Sequence, residues 1–317
     1  ACEGRFRIVH MISILSTIAP VFLVILIGML VRRMGYLPGS LTSPLNRLVY
    51  YVAIPAMIFR ALATASFGSH FRPELLVGTL VPVVLVFGAA IALGRLAAFP
   101  RREMGTFVQT SFHGNLGYIG FAVAFYLLGD EGLTRATILA GFLMLLQNLL
   151  SVIGLQSFSE KREAVNRLGA SIRSVLVNPV ILSILAGVAF NFSGLPLPVI
   201  AGRTLSIVSG MALPLALLVI GASLSFDLVR SYLRFVLPAA AFKLLLLPGA
   251  GLLLFEGMGQ QSREFLPGLI LLAAPSATVS YVMASELNGS PDQASAAVSM
   301  NTLLSSLTYL FWLGVVR

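Results

Sequence analysis

The sequence predicts an all-α membrane protein of ten transmembrane helices, built as two inverted five-helix repeats in which helices four and nine are broken and cross. Three observations predict it: the composition, ten apolar runs of spanning length, and an internal similarity at one fixed offset. Of 317 residues, 57% are hydrophobic and 10% charged, with a mean hydropathy of +0.94. Soluble domains carry roughly 25% charged residues, so a soluble globular fold is excluded. Cys2 is the only cysteine, which rules out a disulfide framework and a zinc cluster built on thiolates. The net charge is +9, but the basic residues sit between apolar runs rather than on one solvated face. That placement points to a lipid bilayer and not to nucleic acid.

A hydrocarbon core of roughly 30 Å takes about 20 apolar residues per helix. Runs of that size lie at 13–31, 45–67, 75–99, 105–128, 133–158, 174–192, 204–224, 235–255, 265–287 and 294–316. Glycine- and proline-containing turns separate them, at 35–44, 68–73, 129–132, 194–198, 257–262 and 288–291. No connection is long enough for a separate domain. The chain therefore divides into an N-terminal extracytoplasmic segment 1–12, a first repeat 13–158, a cytoplasmic joint 159–173 and a second repeat 174–317. No A-x-A-like cleavage site accompanies the first run, so no cleavable signal peptide is expected.

Ten spans place both termini on one side, and the basic residues choose the side. Connections after odd-numbered spans carry Arg32, Arg33, Arg47, Arg95, Arg101, Arg102, Lys161, Arg162, Arg167, Arg173, Arg230 and Arg234. The other side carries only Arg5, Arg7, Arg72, Arg135, Arg203, Arg263 and Arg317. Both termini are therefore expected outside a cytoplasmic (inner) membrane.

The repeat is visible in two places. Residues 20–28 (PVFLVILIG) and 179–187 (PVILSILAG) agree at six of nine positions, at an offset of 159. The same offset carries Pro55 onto Pro214. A unit of five spans is odd in number, so the two copies take opposite topology, as in many secondary transporters. In span four, His113, Gly114, Asn115, Gly117, Tyr118 and Gly120 put glycines and polar groups at mid-membrane depth. Span nine answers with Ala274, Pro275, Ser276, Thr278 and Ser280. Proline removes a backbone donor, and each glycine costs about 1 kcal/mol relative to alanine in a helix. Unwound backbone at that depth lines a cavity or is buried in protein. The alternative is that the glycines only allow close helix packing.

With these residues in view, the chain resembles the auxin efflux carrier family, which includes plant PIN carriers and short bacterial permeases. The resemblance rests on LNRLVYYVAIP at 45–55, GNLGYIG at 114–120, MALP at 211–214 with GASL at 221–224, KLLLLP at 243–248, the 274–281 segment and NGSPD at 288–292. It implies a carrier of organic anions, with spans four and nine crossing beside the substrate. It also implies a scaffold of spans one, two, six and seven that forms a homodimer, and a moving bundle made of the rest. Asn115 matches the family's crossover asparagine. Phe121 stands where the family often has proline and Ser280 where plant carriers have a second one, and the short central joint is like that of bacterial members.

Asn115 offers donors and an acceptor suited to a carboxylate or to capping broken helix ends. Gly114, Gly117, Tyr118, Pro275, Ser276, Thr278 and Ser280 complete the substrate-binding candidates, although the hydroxyls serve equally well as bonds to their own helix carbonyls. His113 is a candidate for proton coupling or a packing residue. Lys243 lies roughly 12 Å into its run. It is either a cation that raises local anion affinity or substitutes for a coupling ion, or a side chain snorkelling to the cytoplasmic interface. Arg60, nearer the outer end of span two, is assigned to snorkelling. Gln147, Asn148 and Asn301 either line the cavity or bond between helices. Residues 105–129 and 265–285 contain no Asp or Glu, which argues against sodium coupling. No cofactor or metal is expected.

The function predicted is secondary transport of a small organic anion, auxin-like or a dicarboxylate, by alternating access. One alternative is a proton- or sodium-coupled bile-acid-type symporter or antiporter of similar architecture. The other is a membrane-embedded enzyme, for which the chain offers no paired aspartates, H-E-x-x-H or G-x-S-x-G.

Overall fold

A computed structural model describes residues 2–65, 72–159 and 178–316, with side chains from Ile14 onward. Among these residues the only extended pairing is one isolated antiparallel bridge, Gly114 with Ser276. The helices are α1 (Cys2–Arg33), α2 (Gly39–Leu48), α3 (Ile54–Ala63), α4 (Pro73–Leu96), α5 (Arg101–Thr110), α6 (Phe121–Ser157) and α7 (Pro179–Phe192). They continue as α8 (Val199–Gly210), α9 (Ala212–Ser223), α10 (Val229–Ala241), α11 (Leu247–Gly257), α12 (Ser262–Ala273), α13 (Val279–Glu286) and α14 (Pro291–Val315). Backbone helix runs from Cys2 into the first predicted span without a boundary at residue 12. The sequence's central joint, apart from Ser159, and the first part of its sixth span lie outside the described residues.

Proline chemistry explains several joins. Two π-helical turns, Val49–Ala53 and Phe242–Leu246, each precede a helix with proline in its first turn, Pro55 in α3 and Pro248 in α11. The missing N–H interrupts the hydrogen-bond ladder, and a widened turn absorbs the interruption. Pro55 and Pro214 thus sit at comparable places, since Pro214 follows the Met211 interruption between α8 and α9.

Among the described residues, seven helical stretches are long and apolar enough to cross a membrane: Ile14–Arg33, Gly39–Ala63, Pro73–Leu96, Leu116–Ser157, Val199–Ser223, Val229–Gly257 and Pro291–Val315. That is fewer than the ten expected, and three facts account for it. The segments 101–120 and 262–286 are broken, α7 has 14 residues in its described part, and Leu116–Ser157 is continuous over 42 residues only through Gly129. Gly129 has φ +70° and ψ −163°, a conformation strained for any residue with a Cβ, and it divides that stretch where the sequence predicts a connection.

Close packing holds α1 against α9 and α3 against α7. A Cβ on Gly28 would lie 2.2 Å from the Leu218 carbonyl oxygen, and one on Gly221 1.8 Å from that of Ile25. On the other pair, a Cβ on Gly187 would lie 3.1 Å from the Phe59 oxygen. The 159-residue offset turns Gly28 and Leu218 into Gly187 and Phe59, so each contact is the counterpart of the other. Small residues let backbones approach this closely where lipid supplies no hydrophobic drive between helices.

Candidate substrate site at the helix crossing

Two interrupted helices meet deep in the molecule. α5 ends at Thr110, and α6 is reached through the π-turn Leu116–Gly120; α12 ends at Ala273, and α13 starts at Val279. The unwound segments pair reciprocally. Asn115 N–H donates to the Pro275 carbonyl (2.7 Å), and Ala277 N–H donates to the His113 carbonyl (2.9 Å). The exchange maps onto itself at an offset of 162 (113 onto 275, 115 onto 277, with Gly114 bridged to Ser276), so Asn115 is the counterpart of Ala277 and not of Ala274 as the 159 offset implies. The three-residue slip has a visible source: Pro73–Leu96 has 24 residues, whereas Val229–Gly257 has 29 and contains a π-turn.

Polar side chains fix the break from several directions. Gln147 of α6 accepts from Gly114 N–H (3.2 Å) and donates to the Phe112 carbonyl (3.1 Å). His113 Nδ1 lies 2.8 Å from Ser151 Oγ. Ser276 Oγ donates to the Thr110 carbonyl (2.7 Å) and accepts from Asn301 Nδ2 (2.6 Å), tying both broken helices to α14. Ile119 and Gly120 N–H groups donate to the Asn115 carbonyl. The Asn115 side chain is buried, and its Nδ2 has no hydrogen-bond partner; Asn301 Oδ1 and Ser280 Oγ share that condition. An unpaired buried polar atom costs about 1–3 kcal/mol. The crossing therefore presents donors and acceptors with no partner of their own.

Lys243 does not snorkel. Its side chain is fully buried, and Nζ donates to the Leu272 carbonyl (2.7 Å) in the last turn of α12. A Cβ on Gly114 would lie 3.3 Å from Lys243 Nζ, so glycine there leaves room for the lysine. The π-turn that widens α10–α11 is the one that carries Lys243.

Other candidates are not gathered at the crossing. Tyr118 is buried, but its hydroxyl donates to Asn46 Oδ1 on α2 (2.6 Å). Asn148 bonds its own helix at the Met144 carbonyl (2.8 Å), as expected of a helical amide. Thr278 sits at the start of α13, half-buried, and Gly117 is half-buried beside Met144.

Arg60, half-buried, lines a cavity of about 730 Å³ bounded by Met57 and Ala61 of α3 and Thr64 at its end, by Ser206, Ser209, Leu213 and Pro214 of α8–α9, and by Phe125, Asp130, Glu131 and Thr134 around Gly129. Met57, Arg60, Ala61 and Thr64 share one helical face, a spacing that contains the signal.

The family model described as "Membrane transport protein" matches residues 13–313. An "Uncharacterized transporter" of Methanothermobacter thermautotrophicus is 28% identical over 94% of this chain and 96% of its own. A Rhizobium meliloti protein named "Putative malonate transporter" is 26% identical over 97% of each chain. A further uncharacterized transporter, from Methanocaldococcus jannaschii, is 23% identical over 92% of this chain and 95% of its own. With a family model covering nearly its whole length, on motifs that resemble the auxin efflux carriers, the chain belongs to the membrane transport protein family.

Proposed function

We propose that this protein is a secondary carrier of a small organic anion, a carboxylate or dicarboxylate, working by alternating access in the cytoplasmic membrane. The observation that carries the reading is the reciprocal pairing of two unwound segments, with the buried Nδ2 of Asn115 lacking any partner. Broken helices in corresponding halves are the usual place for a transported ligand, and a donor without a partner suits a carboxylate oxygen. The matched contacts Gly28–Leu218 and Gly187–Phe59 support two inverted five-helix repeats, and the Gly129 elbow supports separate fourth and fifth spans. In this reading both termini are extracytoplasmic, and helices one, two, six and seven form the scaffold and a homodimer contact. The relative named for malonate supports a dicarboxylate as the first substrate to try.

The experiment is uptake of labelled malonate, succinate and an indole carboxylate into liposomes containing the purified protein. Wild type is expected to accumulate at least one of them, and Asn115→Ala to lose uptake while keeping its elution profile and melting temperature. Full uptake by Asn115→Ala removes the site assignment. Failure of wild type on every carboxylate removes the anion reading.

A further inference from the structure

The cavity beside Arg60 is separate from the crossing in its residues and unlike it in its chemistry. The Arg60 guanidinium donates to Ser206 Oγ (3.2 Å) and lies 3.5 Å from Ser209 Oγ, so one serine pair of α8 aims it. Asp130 Oδ1 stands 3.9 Å away, beyond hydrogen-bond reach, and that side chain is 80% exposed. A pair so exposed is screened by water and weak, so an incoming carboxylate can displace it. The 159-residue offset relates Arg60 to Val219, which is buried and apolar. The packing shared by the two halves therefore does not require an arginine here. At about 730 Å³ the space is of the size that takes small molecules. Glu131 also lines the cavity but is paired with Arg135 (2.6 Å), which leaves Arg60 as a planar, five-donor fork matched to a carboxylate.

We infer that this cavity is an anion-capture vestibule, in which Arg60, aimed by Ser206 and Ser209, binds a carboxylate of the transported anion before it reaches the crossing, and Asp130 is the internal carboxylate it displaces. The inference rests on the organic-anion reading above and adds a specificity residue to it. Arg60 and the serines belong to α3 and α8, whereas Asp130 follows the Gly129 elbow. Displacing Asp130 thus loosens the one contact described here between the Arg60 side chain and that elbow.

The test is malonate uptake kinetics, with melting temperature against malonate concentration, for reconstituted wild type, Arg60→Gln, Arg60→Lys and Asp130→Asn. Losing a charge-assisted bond is expected to raise the KM of Arg60→Gln by about tenfold or more with the maximal rate retained. Arg60→Lys should fall between, and Asp130→Asn should lower KM because its competitor is gone. Wild-type uptake with an unchanged KM in Arg60→Gln overturns the vestibule and leaves the carrier reading standing. If Arg60→Gln does not fold, a KM for Asp130→Asn at or above wild type overturns the vestibule instead. No uptake by wild type, with a malonate shift in melting temperature that Arg60→Gln loses, overturns the carrier reading and keeps the vestibule. Neither uptake nor shift overturns both.

Discussion

The glycine-packed helix pairs and the helix crossing hold the molecule by opposite means. Between α1 and α9, backbone meets backbone: Gly28 and Gly221 leave no space for a methyl group, and Ile18, Val21 and Ile25 bury apolar surface beside them. At the crossing, a few directional bonds from Gln147, Ser276, Asn301 and Lys243 hold segments that have no helical ladder of their own. Dispersion contacts are many and small, so such packing resists change everywhere. Hydrogen bonds are few and localised, so the crossing can be switched by altering one partner. A carrier needs both, a fixed frame and an element that rearranges.

Four substitutions, in falling order of effect, and one control test that contrast. Gly221→Val drives a side chain into the Ile25 carbonyl and is expected to abolish recovery of folded, monodisperse protein. Gly88→Val, at a helical glycine with nothing within 4 Å of its Cβ position, should elute and melt like wild type. Equal behaviour of the two in size-exclusion chromatography would break the contrast. Gln147→Leu strands the Gly114 N–H and the Phe112 carbonyl, at about 1–3 kcal/mol each. It should fold with a lowered melting temperature and transport nothing; normal uptake would show that the clamp is dispensable.

Lys243→Met removes the donor to Leu272 but also removes a buried amine, and these effects on stability oppose each other. Transport is expected to drop by about tenfold, equivalent to about 1.4 kcal/mol, with the melting temperature little changed. A large loss of stability with normal transport would instead make the lysine part of the frame. Tyr118→Phe deletes a single bond to Asn46 and should cost only about 0.5–1.5 kcal/mol, read as a small shift in thermal unfolding.

The sequence made the broken segments legible because glycine and proline act through the backbone, where composition and conformation are directly linked. Gly114, Asn115, Pro275 and Ser276 meet in the structure, as their positions in the two halves suggested. The register of the proposed repeat was legible only locally. An offset read from Pro20, Pro55 and their counterparts slips by three once the longer Val229–Gly257 helix intervenes, and a π-turn leaves no residue signature of its own. Long cations were the least legible. Depth along a run does not say whether a lysine or arginine stem turns to lipid, cavity or carbonyl, so snorkelling was the expectation for Arg60 and an open alternative for Lys243. Both turned inward.

The Gly129 elbow has a mechanical consequence. It changes chain direction at one residue, without a loop to supply slack, and joins the cavity wall at Phe125 directly to the helix that bears Gln147. Phe121–Ser157 is therefore a bent lever, with Asp130 at its fulcrum and the Gly114 clamp on its longer arm. The angle between the two arms is set by the backbone angles of Gly129 alone.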